Sequence, residues 1–103
     1  MEKVFVMYRL QPGVSFDEYC DWSRNADQRI TPRQPACIRF EVYAIESASD
    51  GEARYQIVEE IEVESWEAWE ETLANNEMRS LAASLAKYAD PATVQTIHGR
   101  RIV

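Results

Sequence analysis

The chain has one histidine, two cysteines and three glycines among 103 residues, and each scarcity excludes a chemistry. Cys20 and Cys37 show no CxxC spacing and are too few for a disulfide framework. With His98 alone beside them they give no metal constellation, so no metal is expected. Both read as free thiols that pack as small hydrophobes. Gly13, Gly51 and Gly99 stand apart, which removes a phosphate-cradling loop, and no GxSxG nucleophile elbow occurs. No apolar run approaches the ~20 residues of a membrane helix. Residues 1–6 lack a basic segment and a small-residue cleavage site, so the expected location is the cytoplasm. Cations are scarce as well: 11 Lys and Arg face 18 Asp and Glu, for a net charge of −7. That balance argues against nucleic acid, whose binding rests on cationic side chains displacing counterions.

What is present suits one globular domain spanning residues 1–103: 46% hydrophobic and 28% charged. The acidic excess is localised, with seven glutamates between positions 59 and 71 and no Lys or Arg among them. Such a run reads either as a solvated face or as a docking patch for a basic partner.

Residues 3–10, rich in Val, Phe and Tyr without helical spacing, predict a strand that Gln11-Pro12-Gly13 ends. Ser15 caps a first helix, with Asp17 and Glu18 in its first turn. Phe16, Tyr19, Cys20, Trp22, Ser23, Ala26 and Ile30 recur at three- and four-residue spacing and predict its inward face. Pro32 stops this helix by pushing Thr31 out of the α region. Over residues 37–45, Ile38, Phe40, Val42 and Ala44 alternate with Arg39, Glu41 and Tyr43. Over residues 54–63, Tyr55, Ile57 and Ile61 alternate with Gln56, Glu60 and Glu62. Together with the loop at 46–53 they predict an antiparallel hairpin. Ser65 caps a helix carrying Trp66, Trp69 and Leu73. Asn75-Asn76 breaks it, and Glu77 restarts it through Met78, Leu81, Leu85 and Tyr88 as far as Asp90-Pro91. Residues 94–103 supply a final strand.

The order β-α-β-β-α-β is the ferredoxin-like unit: an α+β fold with a four-stranded antiparallel sheet and both helices on one face. The other face would carry Phe5, Met7, Val58 and Ile97, too apolar for water. A homodimer, two sheets closing as a dimeric α+β barrel, is therefore expected.

Several residues strengthen this. Tyr8-Arg9-Leu10-Gln11-Pro12-Gly13-Val14, Tyr19 and Trp22, Asp27, Pro35 with Ile38, Phe40-Glu41-Val42-Tyr43 and Asn76-Glu77-Met78-Arg79 give a chain that resembles the REDY-like family of prodiginine (prodigiosin-type) pigment biosynthesis, within the dimeric α+β barrel superfamily. The resemblance implies a role in secondary metabolism of the antibiotic and pigment kind. It also implies a small pocket in each protomer between the helices and the inner sheet face.

Tyr8, Trp22, Tyr43, Tyr55, Trp66 and Trp69 offer aromatic wall for a flat conjugated ligand, or else plain core. His98 lies mid-strand with a pKa suited to proton transfer, or is an exposed imidazole beside Arg100 and Arg101. Asp27 at the end of the first helix meets the wrong end of the dipole. It must either pair with Arg24, Arg29 or Arg33, or serve as a general base. Glu59 falls in phase with Ile57 and Ile61, so it faces inward with a partner such as His98 or Arg39, or sits at the sheet's end. The expected function is cofactor-free assistance to condensation, cyclisation or release of an aromatic or pyrrolic intermediate. Asp27, Glu59 and His98 would move protons, and Tyr8, Trp22, Tyr43, Trp66 and Trp69 would hold the ligand. Rival readings are a non-catalytic scaffold of a biosynthetic complex and a cofactor-free monooxygenase.

Overall fold

A computed structural model describes residues 1–103. Strand β1 (Glu2–Tyr8) lies inside the sheet, flanked by β3 (Ile57–Val63) and β4 (Gln95–Arg100), with β2 (Cys37–Ala44) outside β3. Every pairing is antiparallel. The sheet order β2-β3-β1-β4 is that of the ferredoxin-like split unit.

Strand periodicity decides what each face carries. Along β3, Ile57, Glu59, Ile61 and Val63 are buried toward the helices while Val58, Glu60 and Glu62 take the other face. Val6 of β1 and Val42 of β2 stand opposite Glu59, which places that carboxylate in the middle of the sheet rather than at its end. A bulge between Cys37 and Arg39 interrupts the alternation of β2 and turns Ile38 outward, 57% exposed. β3 starts at Ile57 rather than at residue 54 because the carbonyls of Ala53 and Arg54 accept from the Arg9 guanidinium instead of from a neighbouring strand.

The first helix departs from its expected course. α1 (Phe16–Trp22) begins with a capping box in which Ser15 Oγ accepts from the Glu18 amide. It then widens into a π turn over Ser23–Asp27, continues as α2 (Gln28–Ile30), and tightens into a 3-10 turn over Thr31–Arg33. Pro32 does not stop it: Thr31 keeps helical angles (φ −61, ψ −45). Proline is tolerated there because the first positions of a helical turn need no amide donor. The chain turns extended at Gln34, the residue before Pro35. The π turn holds one residue more than an α turn, so the inward positions advance from Ala26 and Ile30 to Asp27 and Thr31. Asp27 and Thr31 are buried, while Ala26 and Ile30 are half-buried.

After β3, Ser65 Oγ accepts from the Ala68 amide and starts α3 (Trp66–Leu73). The break at Asn75 is a cap: its Oδ1 accepts from the Met78 amide at 2.8 Å and opens α4 (Asn76–Leu85). Its Nδ2 donates to Gln34 Oε1 at 2.9 Å, tying α4 to the end of the first helical segment. No helix is long and apolar enough to cross a membrane.

The glutamate run is not one surface. Glu59 is inside, Glu60 and Glu62 lie on the open sheet face, and Glu64, Glu67, Glu70 and Glu71 are exposed at or near α3. On that open face Lys3 pairs with Glu60 at 2.6 Å and Arg39 with Glu41 at 3.1 Å around half-buried Phe5, Met7 and Val58 and exposed Ile97.

Candidate active site

A cavity of about 230 Å³ lies between the helices and the inner sheet face. Ten of its fourteen lining residues are hydrophobic, among them Val4, Val6 and Ile61 from the sheet, Trp22, Trp69, Met78, Leu81 and Leu85. Its polar groups are Asp27, Thr31, Glu59 and Thr96.

Asp27 and Glu59 are therefore brought together, one from the π turn and one from β3. They are 4% and 6% exposed, and no cation pairs with either. The alternatives for Asp27 resolve against an ion pair: Arg24 turns to Asp21 at 3.7 Å, and Arg29 and Arg33 are exposed. Asp27 Oδ1 accepts from Thr31 Oγ1 at 2.9 Å, but its Oδ2 is buried and meets no N–H or alcohol, only the Glu59 carboxyl. Glu59 meets neither His98 nor Arg39. Its Oε2 accepts from the Tyr8 hydroxyl at 2.6 Å, and that hydroxyl lies 2.7 Å from the hydroxyl of Tyr19.

Two carboxyls in one apolar cavity cannot both ionise cheaply. Burial pushes Asp27 up to about 6, with hydrogen bonds from Thr31 and Glu59 pulling it partly back. Burial, then the charge of Asp27, holds Glu59 well above the usual carboxylate range. Both are raised and each feels the other, so the pair shares one proton between them. At neutral pH the pair is a carboxylate beside a carboxylic acid, the separation that lets two like groups divide acid and base roles. Burial also raises the phenols of Tyr8 and Tyr19, which stay protonated.

The remaining candidates are dispersed. Trp22 and Trp69 line the cavity, and Trp22 Nε1 donates to Ser84 Oγ at 2.6 Å while its ring stacks on Tyr88. Tyr8 stands behind Glu59 and is not part of the wall. Tyr43 follows its alternation onto the open sheet face, where it is exposed. Tyr55 lies outside the strands and its hydroxyl donates to Gln95 Oε1. His98 is on the helix-facing side of β4 opposite Val4, where it stacks on Trp66, the two rings 4.0 Å apart and nearly parallel, and stays exposed. Both stay outside the cavity, and its contact with β4 is Thr96. Sequence reasoning passed over Thr31 and the hydroxyl of Tyr19. The available signal was the i+4 ladder Tyr19-Ser23-Asp27-Thr31, whose oxygens share one side once the π turn is in place.

Comparison with known proteins agrees with the fold. The family model described as REDY-like protein HapK matches residues 2–102. The structure of HapK from Hahella chejuensis superimposes with a TM-score of 0.82 at 22% identity, covering 99% of this chain and 93% of that one. A dimeric protein of unknown function and ferredoxin-like fold from Bacteroides fragilis gives 0.72 at 13% identity over 97% and 95%. A protein described as an antibiotic biosynthesis monooxygenase gives 0.72 at 14% identity, covering each chain completely. No protein with a curated description matches.

Proposed function

The chain belongs to the REDY-like HapK family, and from that premise we propose that it is a cofactor-free acid–base protein of secondary metabolism, acting on a small pyrrolic or indolic ring. One observation carries this reading: a carboxylate and a carboxylic acid with no cation share a largely apolar cavity, and one buried oxygen, Asp27 Oδ2, has no N–H or alcohol to accept from, only the neighbouring Glu59 carboxyl. A buried acceptor short of donors destabilises the fold by about 1–3 kcal/mol, so its persistence fits a group that takes a further donor from a ligand. A ring N–H supplies that donor. A dry cavity of ~150 Å³ suffices for benzene, so about 230 Å³ fits one substituted ring or a fused pair.

In this reading the ring lies against Trp22 and Trp69 with its N–H on Asp27. Glu59 delivers a proton to an electron-rich ring carbon, and Asp27 stabilises the cation formed and takes the displaced proton from that same carbon. Condensation and cyclisation of pyrroles need the same two moves. Paired sheet faces, supported by relatives described as dimeric, would complete the assembly as a homodimer.

The test uses simple rings. Incubated with pyrrole in D2O, the protein should accelerate loss of ring-carbon protons in the NMR spectrum at least tenfold over buffer. Glu59→Gln and Asp27→Asn should return the rate to background while staying folded. Indole should bind about tenfold tighter than benzofuran, its oxygen isostere, because a hydrogen bond to a charged group contributes ~1.5–3 kcal/mol. Equal affinities together with background exchange would sink the proposal.

A further inference from the structure

A second cleft of about 140 Å³ opens on the far side of the π turn, between it and the outer strands. Tyr19, Ser23, Arg24 and Gln28 are on its wall, and Arg24 and Gln28 reach solvent. Only one hydrogen-bonded path spans the core between this cleft and Glu59. It runs from Glu59 Oε2 to the Tyr8 hydroxyl at 2.6 Å and on to the Tyr19 hydroxyl at 2.7 Å. All three side chains are buried, and no charged group interrupts the chain. We infer that Tyr8 and Tyr19 form a proton relay that reloads Glu59 from the second cleft while the main cavity is occupied.

The relay rests on the acid–base reading and answers a difficulty within it. A ring that fills the cavity seals the side from which Glu59 would otherwise recover a proton. After Glu59 has given its proton to a ring carbon, its carboxylate takes the proton of Tyr8, Tyr8 takes that of Tyr19, and Tyr19 takes one from hydronium in the cleft. Three O–H bonds break and three form, and both phenols end neutral. The resting geometry already points this way, with Tyr8 donating to Glu59. Because the single Tyr8 proton goes to Glu59, Tyr19 donates to Tyr8, and the whole chain is aligned toward Glu59. Raised phenol pKa values forbid a standing tyrosinate, so the three transfers are concerted. Neither touches the cavity, so they act through Glu59.

The test follows exchange of the Glu59 carboxyl proton by rapid transfer into D2O, read from the infrared C=O band of the protonated acid and assigned by its loss in Glu59→Gln. It is run on the free protein and with saturating indole. Tyr19→Phe should slow the exchange at least tenfold in the presence of indole, and Tyr8→Phe likewise. A merely structural role predicts the opposite sign, because a loosened core opens more often and exchanges faster. Val63→Ala, a buried change away from the relay, supplies that comparison. Exchange in Tyr19→Phe as fast as in the unaltered protein, with and without indole, overturns the relay and leaves the acid–base reading standing. Absence of the band in the unaltered protein overturns both. Failure of indole to bind overturns the ring site and, with it, the relay of the occupied cavity.

Discussion

The Asp27 carboxyl is held where solvent would not put it, which makes its removal stabilising. Folding raises it from an ordinary 3.8 to about 6, so between those values the native state binds more protons than the unfolded one. Stability is therefore fully present below pH 4, falls as pH rises toward 6, and levels off above. Glu59 moves in the same direction and continues the decline at higher pH. Asp27→Asn should remove its share of that slope and raise stability at pH 7 by up to about 3 kcal/mol, while abolishing pyrrole exchange. Urea denaturation at pH 4 and pH 7 checks this. Loss of stability at pH 7 would mean that the carboxylate is paired by something in solution. Of the residues that matter here, Glu59 was legible because it breaks the polar–apolar alternation of its strand. Asp27 stood out as an anion at a helix end. Tyr43 was misplaced as a ligand wall because its aromatic character was weighed above its phase, although the alternation of β2 already set it on the outer face. For His98 both alternatives stayed open, and its exposed position stacked on Trp66 was beyond any spacing rule.

At the level of elements, alternation and caps carried the reading, and one extra residue defeated it. β3 repeats its period without a fault, and Ser15, Ser65 and Asn75 all cap as their chemistry suggests. The π turn was invisible because counting by threes and fours assumes a constant 3.6 residues per turn. It is also what moves Asp27 and Thr31 inward, so the site owes its carboxylate to an irregularity. Pro32 shows the same limit: its effect depends on whether its amide would have been used. Asn75 joins α4 to the first helical segment through Gln34, which also donates to Glu77 Oε1. Asn75→Ala should cost about 1–2 kcal/mol, seen as a lower urea midpoint with an unchanged slope. Asn75→Asp, which keeps the cap and loses the donor to Gln34, should fall between the two.

The whole chain measures 34 × 34 × 22 Å and exposes 6842 Å², against ~6,000 Å² for a monomer of this mass. A flattened slab with one side of its sheet uncovered has such an excess, and Phe5, Met7, Val58 and Ile97 occupy that side. Light scattering should find a dimer at micromolar concentration. Val58→Glu, which puts a charge at the centre of the apolar patch, should give a monomer with unchanged far-ultraviolet circular dichroism.

Because β1 and β3 send alternate side chains in opposite directions, a single ribbon of backbone separates the residues that would meet a twin from those that would meet a guest. Val58 and Glu59 are neighbours in the chain and inhabit different worlds. Mutations on the outward rank can thus tune self-association without retuning the chemistry on the inward rank. A lineage built on this sheet is free to change what it processes while keeping how it assembles, and the Val58→Glu monomer should still exchange pyrrole protons.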